Sequence, residues 1–183
     1  LWLVAVGPLT NIALAIEAYP EMANRLAGLS IMGGSTGPGN ATPAAEFNIW
    51  ADPEAARAVL TSGLNPIICG LNLTQQFLSD DDFVEVLATA GQPVPGFVAE
   101  LYSYMHDRMD AIIGERRAAL HDPCAVLVVT HPHLFELTDM YVDVEIISNN
   151  ISFSALWTNF LLAFTISNFC KFFFFFFFVW ILC

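Results

Sequence analysis

The sequence is poor in basic residues and in paired cysteines, and both shortages exclude classes of function. Its 183 residues carry 6 Lys and Arg against 18 Asp and Glu, which gives a formal net charge of −12. Such a chain has no basic stripe for a phosphate backbone, so we expect no nucleic acid partner. The 4 cysteines show no C-x-x-C motif and no paired spacing. This argues against a disulfide scaffold or a zinc ribbon and favours a reducing, cytoplasmic location.

Charge and hydropathy divide the chain into two unlike parts. Residues 1–145 hold all 18 acids, whereas residues 146–183 hold a single charge, Lys171, and 11 of the 16 Phe. We therefore expect a globular domain over 1–145 and a hydrophobic, Phe-rich tail over 146–183. Two interpretations of the tail stay open. The uncharged stretch Ile151–Cys170 is long enough for a transmembrane segment, and the run Phe172–Phe178 is typical of a translated intron or a frameshift.

Apolar runs alternate with helical patterns in the first part of the chain. Three short apolar runs bounded by Gly or Pro predict buried strands: Leu1–Val6, Leu29–Met32 and Pro66–Leu71. Helical spacing after Pro8 predicts a helix between the first two strands. Asp52-Pro53-Glu54 predicts the start of another helix, after a long loop over Ser35–Asn48.

Helices dominate the second part of the domain. The pattern Ser79-Asp-Asp-Asp82 has the form of a capping box and predicts a helix start. Further helices are predicted over Val94–Ile113 and from Asp122-Pro123, and a last strand over Tyr141–Glu145. Strands that alternate with helices indicate the α/β class, with a Rossmann-like open sheet covered by helices.

Polar residues follow the predicted strands at the edge where open α/β sheets bind ligands. Val6-Gly7 ends the first strand and Met32-Gly33-Gly34 ends the second, followed by Gly39–Asn48. His121-Asp122-Pro123 opens a late helix. Glu and Asn side chains accept and donate hydrogen bonds as sugar hydroxyls require, and an Asp carboxylate suits a hard cation such as calcium. These residues are candidates for one sugar-binding, metal-dependent site.

Five runs of the sequence resemble the inosine–uridine preferring nucleoside hydrolases, in the same order and at similar spacing. They are Val4–Ala13, Ile31–Gly34, Gly39–Asn48 (G-N-x-T-P-x-A-E-F-N), Asp52–Ala56 and Leu120–Pro123. The resemblance covers about residues 1–145. It implies the nucleoside hydrolase fold, here incomplete, and a calcium-dependent ribohydrolase that splits purine or pyrimidine nucleosides into ribose and free base. It also implies a homodimer or homotetramer.

The resemblance assigns roles to individual residues. The ribose would be bound by Met32, Asn40, Glu46, Asn48 and Asp122. Calcium would be held by Asp122 and by the backbone carbonyl of Val6. His121 would act as the catalytic acid that protonates the leaving base, since a histidine titrates near neutral pH.

One departure from the family favours a rival interpretation. The family's Asp-rich motif, D-x-D-x-x-x-D-D, which supplies further calcium ligands and the base that activates water, does not occur in this sequence. Asp80-Asp81-Asp82 has the wrong spacing. We therefore expect the 183 residues to be the middle of a longer protein. The alternative to a nucleoside hydrolase is a catalytically inactive fragment or pseudoenzyme, and membrane association is expected only if the tail is a real segment.

Overall fold

The protein is described by a computed structural model that gives residues 1–91 and 93–146 with their side chains, and the backbone alone of 153–154 and 160–166. The strands of this part are β1 (Trp2–Ala5), β2 (Gly28–Met32), β3 (Ile67–Cys69), β4 (Leu78–Ser79), β5 (Ala118–Ala119), β6 (Phe135–Met140), β7 (Asp143–Val144), β8 (Phe153–Ser154) and β9 (Phe160–Ile166). The helices are α1 (Thr10–Ala18), α2 (Phe47–Ala51), α3 (Pro53–Leu60), α4 (Leu71–Thr74), α5 (Asp81–Thr89), α6 (Pro93–Ile113) and α7 (His121–Thr130), with 3-10 turns at Pro20–Asn24 and Pro132–Leu134.

The chain forms two compact units. The first comprises Leu1–Thr74 and His121–Thr165, and the second is built, within the described residues, mainly from Gln75–Leu120. The first unit contains a five-stranded sheet in the order β1-β2-β3-β9-β6. The pairs β1–β2, β2–β3 and β3–β9 are parallel, as the α/β class predicted. β9 shows that residues of the predicted tail belong to this sheet; the boundary at residue 145 stays a prediction.

The core of the first unit lies between the sheet and its helices. It is formed by apolar residues that are at most a few per cent exposed, among them Leu9, Leu29, Ile31, Val59 and Ile68. The predicted strand Leu1–Val6 is present as β1, but it is not buried along its length. Trp2 is 39% and Val6 44% exposed, because β1 is the edge strand of the described sheet.

In the second unit, helices α5 and α6 pack against each other and against the short antiparallel pair of strands β4 and β5. His106 of α6 is fully buried in it, and its Nε2 lies 2.9 Å from Oγ of Ser79, which donates to the carbonyl of Ala118 at 3.0 Å. On the surface, Arg116 binds the carboxylates of Asp81 and Asp107. The Arg116 guanidinium holds the pKa of the Asp81 carboxyl below its usual value.

Three local predictions were wrong. The long loop over Ser35–Asn48 ends earlier than expected, because α2 begins at Phe47 with Glu46 as its N-cap. The N-cap of α5 is Asp80, whose side chain accepts from the backbone N–H of Phe83. Ser79, predicted as that cap, instead bonds to His106. The strand expected over Tyr141–Glu145 is only the two-residue β7, and the longer β6 precedes it.

The transmembrane interpretation falls mostly on residues that are not described. Among residues 1–91 and 93–146, no helix combines the length and the apolar character that a bilayer crossing requires.

Candidate functional site

The candidate site of the first unit lies at the carboxyl ends of β1, β2 and β3. Ala5 pairs with Ile31, and Met32 pairs with Cys69, so the residues that follow these strands leave the sheet at one edge. The turn after β2 is fixed to β3, because the N–H of Gly33 donates to the carbonyl of Cys69 at 3.2 Å. Gly34 has a φ of 73°, a conformation that glycine adopts without steric cost.

Glu46 is a carboxylate that is held inside the protein by backbone donors. Only 2% of it is exposed. Its Oε2 accepts from the N–H groups of Gly34 at 3.0 Å, Asn48 at 3.0 Å and Ile49 at 3.3 Å. These donors offset the cost of burying the negative charge. All three of these bonds use Oε2, and none of them uses Oε1.

Asn48 and Met32 are bonded to each other beside Glu46. The side-chain Nδ2 of Asn48 donates to the backbone carbonyl of Met32 at 3.0 Å and contacts the Met32 Sδ at 3.4 Å. Asn48 is 8% exposed and Met32 is 3% exposed. The position of the carboxamide is thus set by the end of β2, and its Oδ1 is not used in these bonds.

Asn40 stabilises the loop that precedes α2. Its Oδ1 accepts from the N–H of Phe47 at 2.8 Å. The carbonyl of Ala45 accepts from the N–H groups of Asn40, Ala41 and Thr42 at 3.0–3.2 Å. The loop is therefore held together by its own hydrogen bonds, and these hold Glu46 at the edge of the sheet.

His121 and Asp122 are the first two residues of α7. Nδ1 of His121 lies 2.7 Å from Oγ1 of Thr74, the last residue of α4. Burial lowers the pKa of the His121 imidazole, while the nearby Asp122 and Glu46 carboxylates act in the opposite direction. Burial raises the pKa of the Asp122 carboxyl, against the opposing effect of His121. Since the Glu46 carboxylate affects the pKa of His121, the N-terminal end of α7 lies near the buried carboxylate that caps α2.

Most of the residues that the sequence nominated are thus neighbours in the first unit. Met32, Glu46 and Asn48 are joined by hydrogen bonds through the β2 turn and α2, and Asn40 bonds to the residue after Glu46. Val6 lies at the same sheet edge, but no contact joins it to Asp122 in the described structure. Sequence reasoning missed Thr74. Nothing in its local sequence distinguishes it, and only the contact with His121 identifies it.

The described residues include no group of three or more His, Cys, Asp or Glu side chains placed to hold a metal. The assignment of Asp122 and the Val6 carbonyl as metal ligands therefore stays a prediction.

Comparison with known proteins identifies the class. The profile of the inosine-uridine preferring nucleoside hydrolase family matches residues 1–156, and the chain belongs to this family. The family is generally metal-dependent and acts on small-molecule nucleosides. Its fold agrees with the observed open α/β sheet.

Individual relatives are similar over most of this chain. The pyrimidine-specific ribonucleoside hydrolase RihA of Enterobacter sp. strain 638 is 46% identical over 146 residues, covering 78% of this chain and 46% of the relative. RihA of Shewanella sp. strain ANA-3 is 42% identical over 144 residues, with 78% and 45% covered. The chain therefore spans about half the length of the curated relatives it matches.

Solved structures share the fold. The plant nucleoside hydrolase PpNRh1 superposes with a TM-score of 0.84 at 26% identity, covering 92% of this chain and 58% of the other. A purine-preferring ribonucleoside hydrolase from Gardnerella vaginalis gives a TM-score of 0.86 at 24% identity, with 95% and 58% covered. At that identity the second similarity concerns the fold alone.

Proposed function

We propose that the protein hydrolyses the N-glycosidic bond of ribonucleosides, with uridine and cytidine as preferred substrates. The observation that carries this proposal is the buried, backbone-bonded pair of Glu46 and Asn48 at the sheet edge in a chain of the nucleoside hydrolase family. The preference for pyrimidines rests on the RihA relatives, whose names describe them as pyrimidine-specific.

Ribose binding is assigned to side-chain atoms that the internal hydrogen bonds leave unused. The Oε1 of Glu46 and the Oδ1 of Asn48 would accept from sugar hydroxyls, and Asn40, Met32 and Asp122 would complete the contacts. The bond breaks through a state in which positive charge develops on the sugar. The fixed negative charge of Glu46 would stabilise that charge more than it stabilises the neutral substrate.

His121 is assigned to the leaving base. Burial lowers the pKa of the His121 imidazole, while the Asp122 and Glu46 carboxylates favour its protonated form. The acid is the doubly protonated ring: as the glycosidic bond breaks and negative charge grows on the base, the ring would transfer one proton to the base and be left neutral. General acid catalysis of this kind contributes about 10²–10⁴-fold to the rate.

Calcium is the metal that we assign to the site, because the resemblance to the family implies it. Asp122 is a partly buried carboxylate whose charged form burial disfavours, and the Val6 carbonyl is a second oxygen; a hard cation stabilises both. Calcium takes about 6–8 oxygen ligands, so water, the ribose hydroxyls or residues outside the described set would fill the remaining positions. When bound, the ion would fix the ribose hydroxyls and lower the pKa of a water molecule.

The test measures release of ribose from uridine, cytidine and inosine by a reducing-sugar assay in the presence of calcium. We expect cleavage of the pyrimidine nucleosides. Asp122→Ala should abolish cleavage of every substrate and weaken calcium binding in calorimetry. His121→Ala should lose about 10²–10⁴-fold on uridine but little on p-nitrophenyl riboside, because nitrophenolate leaves without a proton.

Two results would contradict the proposal. No release of ribose from any nucleoside would favour the inactive fragment or pseudoenzyme. Equal losses on uridine and p-nitrophenyl riboside for His121→Ala would mean that His121 positions the sugar or the metal and is not the acid.

A further inference from the structure

Thr74 lies directly behind the histidine that the proposed reaction assigns to the leaving base. It is the last residue of α4, the single turn that follows β3, and it is completely buried. Its Oγ1 lies 2.7 Å from the Nδ1 of His121, which is a short distance for a hydrogen bond between a hydroxyl and a ring nitrogen. The two residues are 47 positions apart in the sequence, so the fold itself creates this contact.

The position of the Thr74 hydroxyl is fixed from two sides. The backbone N–H of Thr74 donates to the carbonyl of Gly70 at 3.0 Å, which anchors α4 to the end of β3. A threonine side chain is also stiff about χ1, because its Cβ is branched. Thr74 therefore presents Oγ1 to the imidazole, and the atom that it meets is Nδ1.

The hydrogen-bond inventory of the contact defines the tautomer. The hydroxyl carries one hydrogen, and in the described structure it has no acceptor besides the Nδ1 of His121. A buried donor without an acceptor is destabilising, because it loses its hydrogen bonds to water and gains none in the protein. The favoured arrangement is therefore Oγ1–H donating to Nδ1, which places the ring hydrogen of the neutral imidazole on Nε2.

We propose that Thr74 is a positioning residue for His121: its hydroxyl holds the imidazole in the Nε2–H form and makes Nε2 the nitrogen that faces the leaving base. The consequence for catalysis rests on the proposed function, whereas the tautomer does not. A hydroxyl can also accept a hydrogen bond, so the ring stays bonded to Oγ1 when it takes up a second proton at Nδ1. The Nε2–H proton of this doubly protonated ring is the one that passes to the base, which leaves the neutral Nδ1–H form.

The first test reads the tautomer directly and needs no activity. The full chain, labelled with ¹⁵N-histidine, is measured by long-range ¹H–¹⁵N NMR at about pH 8, where histidine is ordinarily neutral. His121→Ala assigns the signal. We expect the Nε2–H form for His121 in the wild-type protein, a mixture of tautomers in Thr74→Val, and the wild-type form in Thr74→Ser. An Nδ1–H form in the wild type, or no change in Thr74→Val, would overturn the proposal.

The second test separates positioning from a structural role. Thr74→Val is nearly isosteric, and we expect kcat on uridine to fall about 10–100-fold, part of the range of general acid catalysis. KM and the rate on p-nitrophenyl riboside should change less than about 2-fold, and Thr74→Ser should recover most of the loss. The matched control is Thr61→Val, which removes a hydroxyl bonded to the carbonyl of Arg57 elsewhere in the first unit.

The outcomes of the two tests are distinct. Equal losses on both substrates in Thr74→Val would show that Thr74 only supports the fold, and the positioning role would be withdrawn. If the wild-type protein cleaves no nucleoside, the proposed function fails, while the NMR comparison still decides whether Thr74 sets the tautomer of His121.

Discussion

Substitution of Glu46 tests whether one carboxylate both stabilises the fold and binds the substrate. In Glu46→Ala, three backbone N–H groups lose their acceptor: that of Gly34 in the β2 turn, and those of Asn48 and Ile49 in the first turn of α2. An unpaired buried donor costs about 1–3 kcal/mol, and loss of an N-cap costs about 0.5–2 kcal/mol. Counting the two α2 donors as one cap, we expect the free energy of unfolding to fall by about 1.5–5 kcal/mol.

The isosteric variant Glu46→Gln separates the two roles. Its amide oxygen can take the position of Oε2 and keep the backbone bonds, although these become neutral and weaker. We expect a loss of only about 1 kcal/mol. Activity should still fall sharply on every nucleoside, because the negative charge near the sugar is gone.

The assay is urea unfolding followed by circular dichroism, combined with ribose release from uridine. The control is Glu54→Ala, which removes an exposed acid from the first turn of α3 and should change stability by at most about 0.5 kcal/mol. A Glu46→Ala protein within about 1 kcal/mol of the wild type would refute the structural role. A fully active Glu46→Gln protein would refute the role in ribose binding.

Three further predictions concern packing and titration. Asp52→Ala removes the N-cap of α3 and should lower the free energy of unfolding by about 1 kcal/mol in urea titrations; an unchanged midpoint would contradict this. Burial raises the pKa of the Cys69 thiol to about 12 and also raises the pKa of the Cys124 thiol. At about pH 8 both side chains are therefore thiols and should resist iodoacetamide until the chain unfolds. Peptide mass spectrometry that finds both cysteines modified in the native protein would contradict this. His106→Ala should cost about 2–5 kcal/mol through the cavity it leaves and speed hydrogen exchange in α6, whereas the exposed Tyr104→Ala should have no such effect.

The sequence predicted those elements whose signals are local. Three apolar runs became the parallel strands β1, β2 and β3, and Asp52 caps α3 as the Asp-Pro-Glu pattern indicated. The start of α2 was missed, since its cap is Glu46 and glutamate is not among the usual N-cap residues. Ser79 was misassigned because several residues of its run can cap a helix, and its buried contact with His106 decides between them.

The candidate site was predictable in composition but not in geometry. Resemblance to the family nominated Glu46, Asn48 and His121, and the structure places them in one unit at one sheet edge. Their roles stay predictions. Thr74 could not be found from the sequence, because its importance depends on a contact between residues distant in the chain. Hydrogen-bond partners of buried side chains are a property of the fold, and a single sequence contains no periodic signal for them.

The way Glu46 is held explains how the loop before α2 can keep a carboxylate inside the protein. A carboxylate that is 2% exposed is stable only if donors surround it. Here the donors come from the turn after β2 and from the first turn of α2. The carboxylate therefore links that turn to the helix through hydrogen bonds. The neighbouring Asn48 is fixed in turn by the carbonyl of Met32. Under the proposed function, a sugar bound to the remaining oxygens would meet groups that are already ordered, and little binding energy would be lost in arranging them.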